Sequence, residues 1–291
     1  MYRSGFVALV GKPNVGKSTL INRLVGTKVA ITSSKPQTTR HRVLGVMHGQ
    51  EYQIVLVDTP GLMQPRHALG RKMEKWALEE SREADLVLFL VELTHAPTAE
   101  DRFAAEHLAP LGDRVWLVMN KLDRCKDEQV AEQYQALGGY PRSFQVSALE
   151  GQGLEQLTQA LCEVLPEGDP FFPPDQVTDQ NRALLASEVI REKVLHLTRQ
   201  EIPHAVAVVV DELRPADKPD MLYLSAYLYV ERPNQKRILI GKNGQLLKSI
   251  GAEARLELEQ LWGQRVFLEL WVKVKEGWRD REDWLRSLGY E

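Results

Sequence analysis

The chain contains 291 residues, of which 43% are hydrophobic and 26% are charged, and its formal net charge is −3 at pH 7. This length predicts about two domains, and the composition excludes a disordered or fibrous protein. The two cysteines, Cys125 and Cys162, are too far apart in sequence to indicate a zinc site or a disulfide framework, and the apolar run at 86–91 is too short to span a bilayer. We therefore expect a globular cytoplasmic protein.

The first part of the chain, residues 1–165, alternates apolar β-rich runs with amphipathic helical stretches. Strands are predicted at 6–10, 43–48, 52–58, 86–91, 115–120 and 143–146, and helices are predicted to begin near Lys17, Leu69, Thr98, Glu128 and Leu154. This alternation predicts a doubly wound α/β domain. The short connection between the second and third strands predicts a hairpin, which makes one edge of a mixed sheet antiparallel.

A proline-rich stretch, PEGDPFFPP, begins at residue 166 and excludes regular helix. We expect the first domain to cover 1–168, a linker to cover 169–179 and a second domain to cover 180–291. The second domain is predicted to be a smaller α+β unit. Its predicted elements are a helix at 180–199, strands at 205–213 and 221–232, a turn or short helix at 234–240, a helix from Gln245 to about Trp262 and a strand at 266–274.

The motif GKPNVGKST at 11–19 follows the first strand and opens a helix, as a phosphate-binding loop does. Its glycines let backbone N–H groups surround phosphate oxygens, and the helix N-terminus favours the negative charge. We expect Lys17 to reach the β- and γ-phosphates and the Ser18 hydroxyl to bind Mg²⁺. The predicted nucleotide-binding residues of this motif are Gly11, Lys12, Pro13, Asn14, Val15, Gly16, Lys17, Ser18 and Thr19.

Two further segments are predicted to complete the phosphate and magnesium site. The motif DTPG (Asp58, Thr59, Pro60, Gly61) ends the third strand, where Asp58 can hold Mg²⁺ through a water and the Gly61 N–H can contact a γ-phosphate. The segment 27–43 contains no acidic residue and includes a proline, which predicts a mobile loop. A threonine of this loop should complete the metal site, with Thr39 as the first choice and Thr38 as the second. Lys17, Thr39 and Gly61 are the predicted catalytic residues.

The motif NKLD at 120–123 is predicted to select the base. Asp123 can accept hydrogen bonds from guanine N1–H and the exocyclic amine, Asn120 can contact the far edge of the purine, and the Lys121 stem can pack on the ring. Adenine would leave the Asp123 carboxylate unpaired, which disfavours ATP. The backbone of Ser147, Ala148 and Leu149 is predicted to contact the guanine carbonyl. These motifs predict GTP as the nucleotide.

In the second domain, GKNG at 241–244 lies between an apolar run and a helix, as the GxxG loop of KH domains does. The window 232–252 contains five basic residues and no acidic residue, which favours RNA. The predicted RNA-binding residues are Lys236, Arg237, Ile240, Gly241, Lys242, Asn243, Gly244 and Lys248. Trp271 and Trp278 are candidates for base stacking, although core packing is the more common role of a strand tryptophan.

These motifs, together with PQTTRHR (36–42), SEVIREK (187–193), LELWVKVKEGW (268–278) and RSLGY (286–290), resemble those of the bacterial Era GTPases along nearly the whole chain. The resemblance implies a P-loop GTPase domain followed by a type II KH domain. It implies a factor that binds the 3′ end of small-subunit ribosomal RNA, assists assembly of the small ribosomal subunit, and changes its RNA grip with the bound nucleotide. It also implies loose contact with the inner face of the cytoplasmic membrane; a monomer is the default expectation.

The residue after DTPG is Leu62, whereas Ras-like GTPases place a water-positioning glutamine there. The resemblance implies membership of the GTPases with a hydrophobic residue at this position, in which the asparagine corresponding to Asn14 helps to bind K⁺. We expect Leu62 to point away from the nucleotide and the isolated protein to hydrolyse GTP slowly.

Two other interpretations of the sequence differ in the role of the second domain. One is a signalling or membrane-associated GTPase whose C-terminal domain binds protein, which the acid-free window disfavours. The other is an enzyme that modifies RNA, for which the sequence contains no catalytic-cysteine or cofactor motif.

Overall fold

The structure is a computed structural model that describes residues 1–290. The chain divides into two compact units, the first formed by residues 1–66 and 70–179 and the second by residues 67–69 and those from Gln180 onward. Within residues 1–290, no helix combines the length and the apolar character needed to cross a membrane.

The first unit contains a six-stranded mixed sheet. Its strands are β1 (Arg3–Val10), β2 (Val43–His48), β3 (Tyr52–Asp58), β4 (Leu86–Glu92), β5 (Val115–Asn120) and β6 (Ser143–Gln145), and its α-helices are α1 (Lys17–Val25), α2 (Ala68–Glu83), α3 (Ala99–Leu108), α4 (Gln129–Gln135) and α5 (Leu154–Val164). The strand order is β2-β3-β1-β4-β5-β6. Only the edge strand β2 runs antiparallel to its neighbour, as the predicted hairpin requires.

The sheet is buried on both faces because alternate residues of its central strands enter opposite core layers. Val7 and Leu9 of β1 pack in the layer that contains residues of α1 and α5. Ala8 and Val10 pack in the other layer, with residues of α2, α3 and α4. The strand order reverses at β1, so the carboxyl ends of β1, β3 and β5 border the crevice where nucleotides bind in such sheets.

The segment 169–179, which the sequence predicted to be a linker, is grouped with the first unit. Gln53 accepts hydrogen bonds from the backbone N–H groups of Phe171 and Phe172, at 2.7 and 3.0 Å. The backbone N–H of Val46 donates to the carbonyl of Val177 at 2.9 Å. The segment forms no helix, as expected, and its residues hydrogen-bond to β3 and to the edge strand β2.

The second unit packs helices against a three-stranded sheet. Its elements are α6 (Arg182–Leu197), α7 (Ile202–Ala205), β7 (Ala207–Pro215), β8 (Met221–Val230), α8 (Pro233–Ile240), α9 (Gln245–Trp262), β9 (Arg265–Val274) and α10 (Glu282–Ser287). β8 pairs antiparallel with β7 and parallel with β9. β7 begins two residues later than predicted, because the short helix α7, with Pro203 in its first turn, precedes it.

The two candidate tryptophans of the second unit have different environments. Trp278 is fully buried, and its indole N–H donates to the carbonyl of Ala205 at 2.8 Å, so it is a core residue. Trp271 is 57% exposed. The expectation that a strand tryptophan packs in the core is therefore wrong for Trp271, because its side chain lies on the face of β9 opposite the core layer.

Candidate functional site: a guanine-nucleotide site and an RNA interface

The phosphate loop connects β1 to α1, and Lys17 is the first residue of that helix. The Lys17 ammonium is buried and donates to the carbonyls of Gly11 and Lys12, both at 3.0 Å. Burial lowers the pKa of Lys17 to about 8, although the neighbouring Asp58 carboxylate opposes this shift. The loop therefore holds its lysine among backbone carbonyls, in the place where phosphate oxygens would stabilise the charged form.

Close backbone packing explains why glycine is needed in this loop. Gly16 has a φ of 103°, and a Cβ on it would lie 2.2 Å from the side-chain nitrogen of Asn120. Gly61, in the loop after β3, is also confined, because a Cβ there would lie 2.7–2.9 Å from atoms of Pro13. At both positions the glycine lets backbone and neighbouring side chains approach at the phosphate end of the site.

The three predicted magnesium ligands meet in the structure. The Ser18 and Thr39 hydroxyls donate to Asp58 Oδ2 at 2.7 and 3.0 Å, and the two hydroxyl oxygens are 3.0 Å apart. The other carboxylate oxygen, Asp58 Oδ1, is buried without a hydrogen-bond partner among residues 1–290. Three hard oxygen donors and an unsatisfied carboxylate oxygen fit Mg²⁺. Burial raises the pKa of Asp58, against the opposing effects of Lys17 and the two hydroxyls.

The second choice for the metal-binding threonine, Thr38, does not lie at this cluster. Its hydroxyl donates to the carbonyl of Lys35 at 2.7 Å, within the same loop. We call residues 27–42 the switch loop, because they connect α1 to β2 and end beside the magnesium ligands. Side chains of this loop and of the phosphate loop line a cavity of about 350 Å³ that also borders Gly61.

Leu62 lies outside this cavity. Its side chain is fully buried in the core layer that contains Val10 and Phe89, and its backbone N–H donates to the carbonyl of Gly11 at 3.0 Å. The expectation that Leu62 points away from the nucleotide is confirmed. Residue 62 therefore fixes the loop backbone and contributes no polar group to the chemistry.

The base-selecting motifs meet at the ends of β5 and β6. Ser147 Oγ donates to Asp123 Oδ1 at 2.5 Å. Asn120, predicted to contact the purine, donates to the carbonyl of Val15 at 2.8 Å and accepts from the Ala148 N–H at 2.9 Å. Asn120 thus connects the phosphate loop to the loop after β6 through hydrogen bonds to both. A smaller cavity of about 160 Å³ lies between these motifs and includes Leu149 in its lining.

A buried charge network beside the nucleotide site was not predicted from the sequence. Lys12 Nζ lies 2.8 Å from Asp101 Oδ2 in α3, and Lys121 donates to Glu92 at the end of β4. Although burial opposes the change, the hydrogen bond and charge of Lys121 keep the pKa of Glu92 below its ordinary value. Two signals were present in the sequence: a glutamate that ends an apolar strand, and the helix-capping pattern TAED at 98–101.

The predicted RNA-binding residues lie together on α8, the GKNG loop and the first turns of α9. Gly241 has a φ of 75°, and a Cβ on it would lie 2.8 Å from Leu246 Cβ. Asn243 also adopts a left-handed conformation, with a φ of 53°. The side chains of Arg237, Lys242 and Lys248 are exposed around this loop. Exposed cations next to closely approachable backbone are what a nucleic-acid phosphate chain requires.

Comparison with known proteins agrees with the description of both the nucleotide site and the RNA interface. Residues 6–121 match the family model described as 50S ribosome-binding GTPase, and residues 201–279 match that of the KH domain. The fold and the site thus define a P-loop GTPase joined to a KH domain. The chain is 47% identical over 292 residues to GTPase Era of Carboxydothermus hydrogenoformans, covering 99% of this chain and 98% of that protein. The chain therefore belongs to the Era family of GTPases, which are enzymes that hydrolyse GTP.

Two solved structures of Era are similar to this chain along its whole length. A single-residue variant of Aquifex aeolicus Era bound to GDP·AlF4⁻ is 43% identical, with a TM-score of 0.95 and 99% of each chain covered. Era in complex with MgGDPNP and nucleotides 1506–1542 of 16S ribosomal RNA is 42% identical, with a TM-score of 0.96 and 100% and 99% of the two chains covered.

Proposed function

We propose that this protein is a GTP-driven switch that binds the 3′ end of small-subunit ribosomal RNA through its KH domain and assists assembly of the small ribosomal subunit. The observation that carries the proposal is the GKNG loop, where glycine backbone with positive φ lies among exposed cations in a KH fold. The Era complex with nucleotides 1506–1542 of 16S ribosomal RNA supports the identity of the ligand.

The nucleotide site supplies the driving reaction. Asp123 recognises guanine, Lys17 binds the β- and γ-phosphates, and Ser18, Thr39 and Asp58 hold Mg²⁺. The ion neutralises charge on the phosphates during hydrolysis. Water attacks the γ-phosphorus, the bond to the β–γ bridging oxygen breaks, and the products are GDP and phosphate.

The state of the switch depends on Thr39, because this residue belongs to the switch loop but its hydroxyl lies 3.0 Å from both Ser18 Oγ and Asp58 Oδ2. In the GTP state, the metal and the γ-phosphate would each add a contact that holds Thr39 in this position. Loss of the γ-phosphate removes one of these anchors and releases the switch loop, as in other GTPases. We propose that this release changes the RNA affinity of the KH domain.

The test is equilibrium binding of a labelled single-stranded oligonucleotide copied from the 3′ end of small-subunit ribosomal RNA, at one stated salt concentration. Tighter binding with a non-hydrolysable GTP analogue than with GDP would support the switch, and equal binding would reject it. The variant Lys242→Glu/Lys248→Glu should lose binding, whereas Lys218→Glu, an exposed charge reversal outside the window, should retain it. Absence of binding in both nucleotide states would reject the RNA partner and favour a protein partner.

We further propose that K⁺ stimulates hydrolysis at Asn14. The side-chain amide of Asn14 donates to the carbonyl of Ser34 in the switch loop at 2.9 Å. Asn14 lines the phosphate cavity, and the oxygen of its side-chain amide is the kind of ligand that an alkali cation takes. Turnover in K⁺ should exceed turnover in Na⁺, and Asn14→Ala should remove the difference. Equal rates in the two salts would refute this proposal.

From the family resemblance, we propose in addition that the protein is a monomer that contacts the inner face of the cytoplasmic membrane peripherally. Sedimentation would test the first statement and flotation with anionic lipid vesicles the second.

A further inference from the structure

The residue at position 62 cannot orient the water that attacks GTP. A GTPase needs a group that orients the attacking water, and the side chain of Leu62, which occupies the usual position of that group, is buried in the core. A replacement must be polar, must border the phosphate cavity and must lie at the γ-phosphate end, near Gly61 and Thr39.

Most polar side chains at this cavity are committed to other partners. Ser18 and Thr39 bind Asp58, Lys17 binds backbone carbonyls, Lys121 binds Glu92, and three others bind within the loops: Asn14 to Ser34, Thr38 to Lys35, and Ser33 to the backbone N–H of Lys35. The side chains of Thr19, Thr32 and Ser34 also line the cavity. Gln37 of the switch loop differs from these three because its amide contacts the segment that follows Gly61. It lines the cavity, is half-buried, and makes one weak contact among residues 1–290, from Nε2 to the sulfur of Met63 at 3.7 Å.

Two observations place Gln37 at the γ-phosphate end of the cavity. Along the chain it lies two residues before Thr39, whose hydroxyl is at the magnesium site. In space its amide contacts Met63, two residues after Gly61. A thioether sulfur is a weak acceptor, so the amide can exchange this contact for water at little cost.

The backbone of Gln37 is strained in a way that its side chain does not explain. Its φ is 61°, in the left-handed region that favours glycine and, because their side chains bond locally, asparagine and aspartate. A glutamine held in this conformation raises the free energy of the folded loop, and such strain is found at functional sites.

We propose that Gln37 is the positioning residue for the attacking water, in place of the residue at position 62. Its carboxamide oxygen accepts a hydrogen bond from the water and aims the water oxygen at the γ-phosphorus. The new P–O bond forms as the bond to the bridging oxygen breaks, and the proton of the water passes to a γ-phosphate oxygen. The amide neither gains nor loses a proton, so glutamine is sufficient for this role.

The decisive variant is Gln37→Gly in the full chain with Mg²⁺, because glycine keeps the left-handed backbone and removes only the side chain. Single-turnover GTP hydrolysis should fall about 100-fold, the loss that follows when a reacting group is misplaced by about 1 Å. Affinity for GDP and for a GTP analogue should stay within about twofold, and the GDP·AlF4⁻ complex, which mimics the transition state, should weaken in parallel with the rate. Gln200→Gly is the matched control: Gln200 has a φ of 59° and lies in the second unit, so the same substitution should leave hydrolysis unchanged.

Hydrolysis by Gln37→Gly at the rate of the unchanged protein would overturn the proposal. So would an equal loss of GDP and GTP-analogue affinity, because that result would show that residue 37 shapes the loop and does not act on the water. The AlF4⁻ measurement separates these outcomes, since a loss of loop shape weakens the ground-state and the transition-state complexes alike.

Discussion

Lys12 of the phosphate loop and Asp101 of α3 form a buried ion pair, with Nζ 2.8 Å from Oδ2. The same carboxylate oxygen accepts hydrogen bonds from the Thr98 backbone N–H at 2.8 Å and from the Thr98 hydroxyl at 2.6 Å, which caps α3. It also accepts one from the Tyr134 hydroxyl at 3.4 Å. One carboxylate thus connects the phosphate loop, the start of α3 and α4.

We expect Asp101→Asn to destabilise the first unit, because it leaves the buried Lys12 ammonium without its closest anion. Removing one partner of a buried ion pair costs about 3 kcal/mol or more. Urea unfolding monitored by circular dichroism would measure the change. Asp113→Asn, the same substitution at an exposed position, is the control and should change the free energy of unfolding by less than about 0.5 kcal/mol. A change that small in Asp101→Asn would contradict the inferred role of the ion pair.

Glu92 should control guanine-nucleotide affinity without contacting the nucleotide. It accepts a hydrogen bond from Lys121 of the base motif and lies 3.8 Å from Lys12, so it bridges the base and phosphate motifs. Glu92→Gln keeps the shape of the side chain and removes its charge. We expect about tenfold weaker GDP binding, equivalent to about 1.4 kcal/mol, as measured with a fluorescent GDP analogue. The observation that would contradict this role is unchanged affinity.

The contrast between the two sets of site residues explains what a sequence can predict. Lys17, Ser18 and Asp58 were predicted because each lies at a fixed spacing within a motif whose geometry is local. Glu92 and Asp101 were missed because their partners come from other elements, and no spacing links Lys12 to residue 101. The sequence gives no signal for Gln37, because its importance depends on a left-handed backbone and on the buried position of Leu62. The proline content of 169–179 predicts that this segment forms no regular helix, but it does not predict the hydrogen bonds that Phe171 and Phe172 donate to Gln53.

Nucleotide binding should take up a proton at alkaline pH. Burial lowers the pKa of Lys17 to about 8 from its ordinary value of 10.5. Between these two values the unfolded chain binds more protons at this lysine than the folded protein does, so stability without nucleotide should rise with pH in that window. Phosphate favours the charged form, so nucleotide affinity should instead fall above pH 8.

Calorimetric titration with GDP at pH 9, in two buffers of different ionisation enthalpy, would measure this proton uptake. Lys17→Arg is the control, because its guanidinium stays charged in this range and should take up no proton. Equal heats in both buffers for the unchanged protein would show that Lys17 is already charged before nucleotide binds.

Thr39 and Thr38 are adjacent threonines with different partners, which makes them a matched pair. Thr39 should be needed for the GTP state, because its hydroxyl lies at the magnesium cluster, whereas the Thr38 hydroxyl donates within the switch loop. Thr39→Ala should weaken binding of a GTP analogue about tenfold more than binding of GDP, a difference of about 1.4 kcal/mol. Thr38→Ala should affect the two nucleotides equally. If the two variants show the same ratio of affinities, the assignment of Thr39 as the metal ligand is incorrect.

Two glycines of the second unit, one in the GKNG loop and one outside it, allow the effect of a side chain on stability to be separated from its effect on RNA binding. Gly241 and Gly263 both have a positive φ, of 75° and 62°, but a Cβ at Gly241 would lie 2.8 Å from Leu246 whereas a Cβ at Gly263 would meet nothing within 4 Å. Alanine at either position should lower thermal stability, because both backbones disfavour a side chain.

Only Gly241→Ala should also weaken binding of the ribosomal RNA oligonucleotide, since only it alters the surface that approaches phosphate. We expect a loss of about tenfold or more at constant salt, measured by fluorescence anisotropy, with Gly263→Ala close to the unchanged protein. An equal loss of RNA affinity in both variants would mean that RNA binding follows the stability of the second unit, and would remove the GKNG loop from the interface.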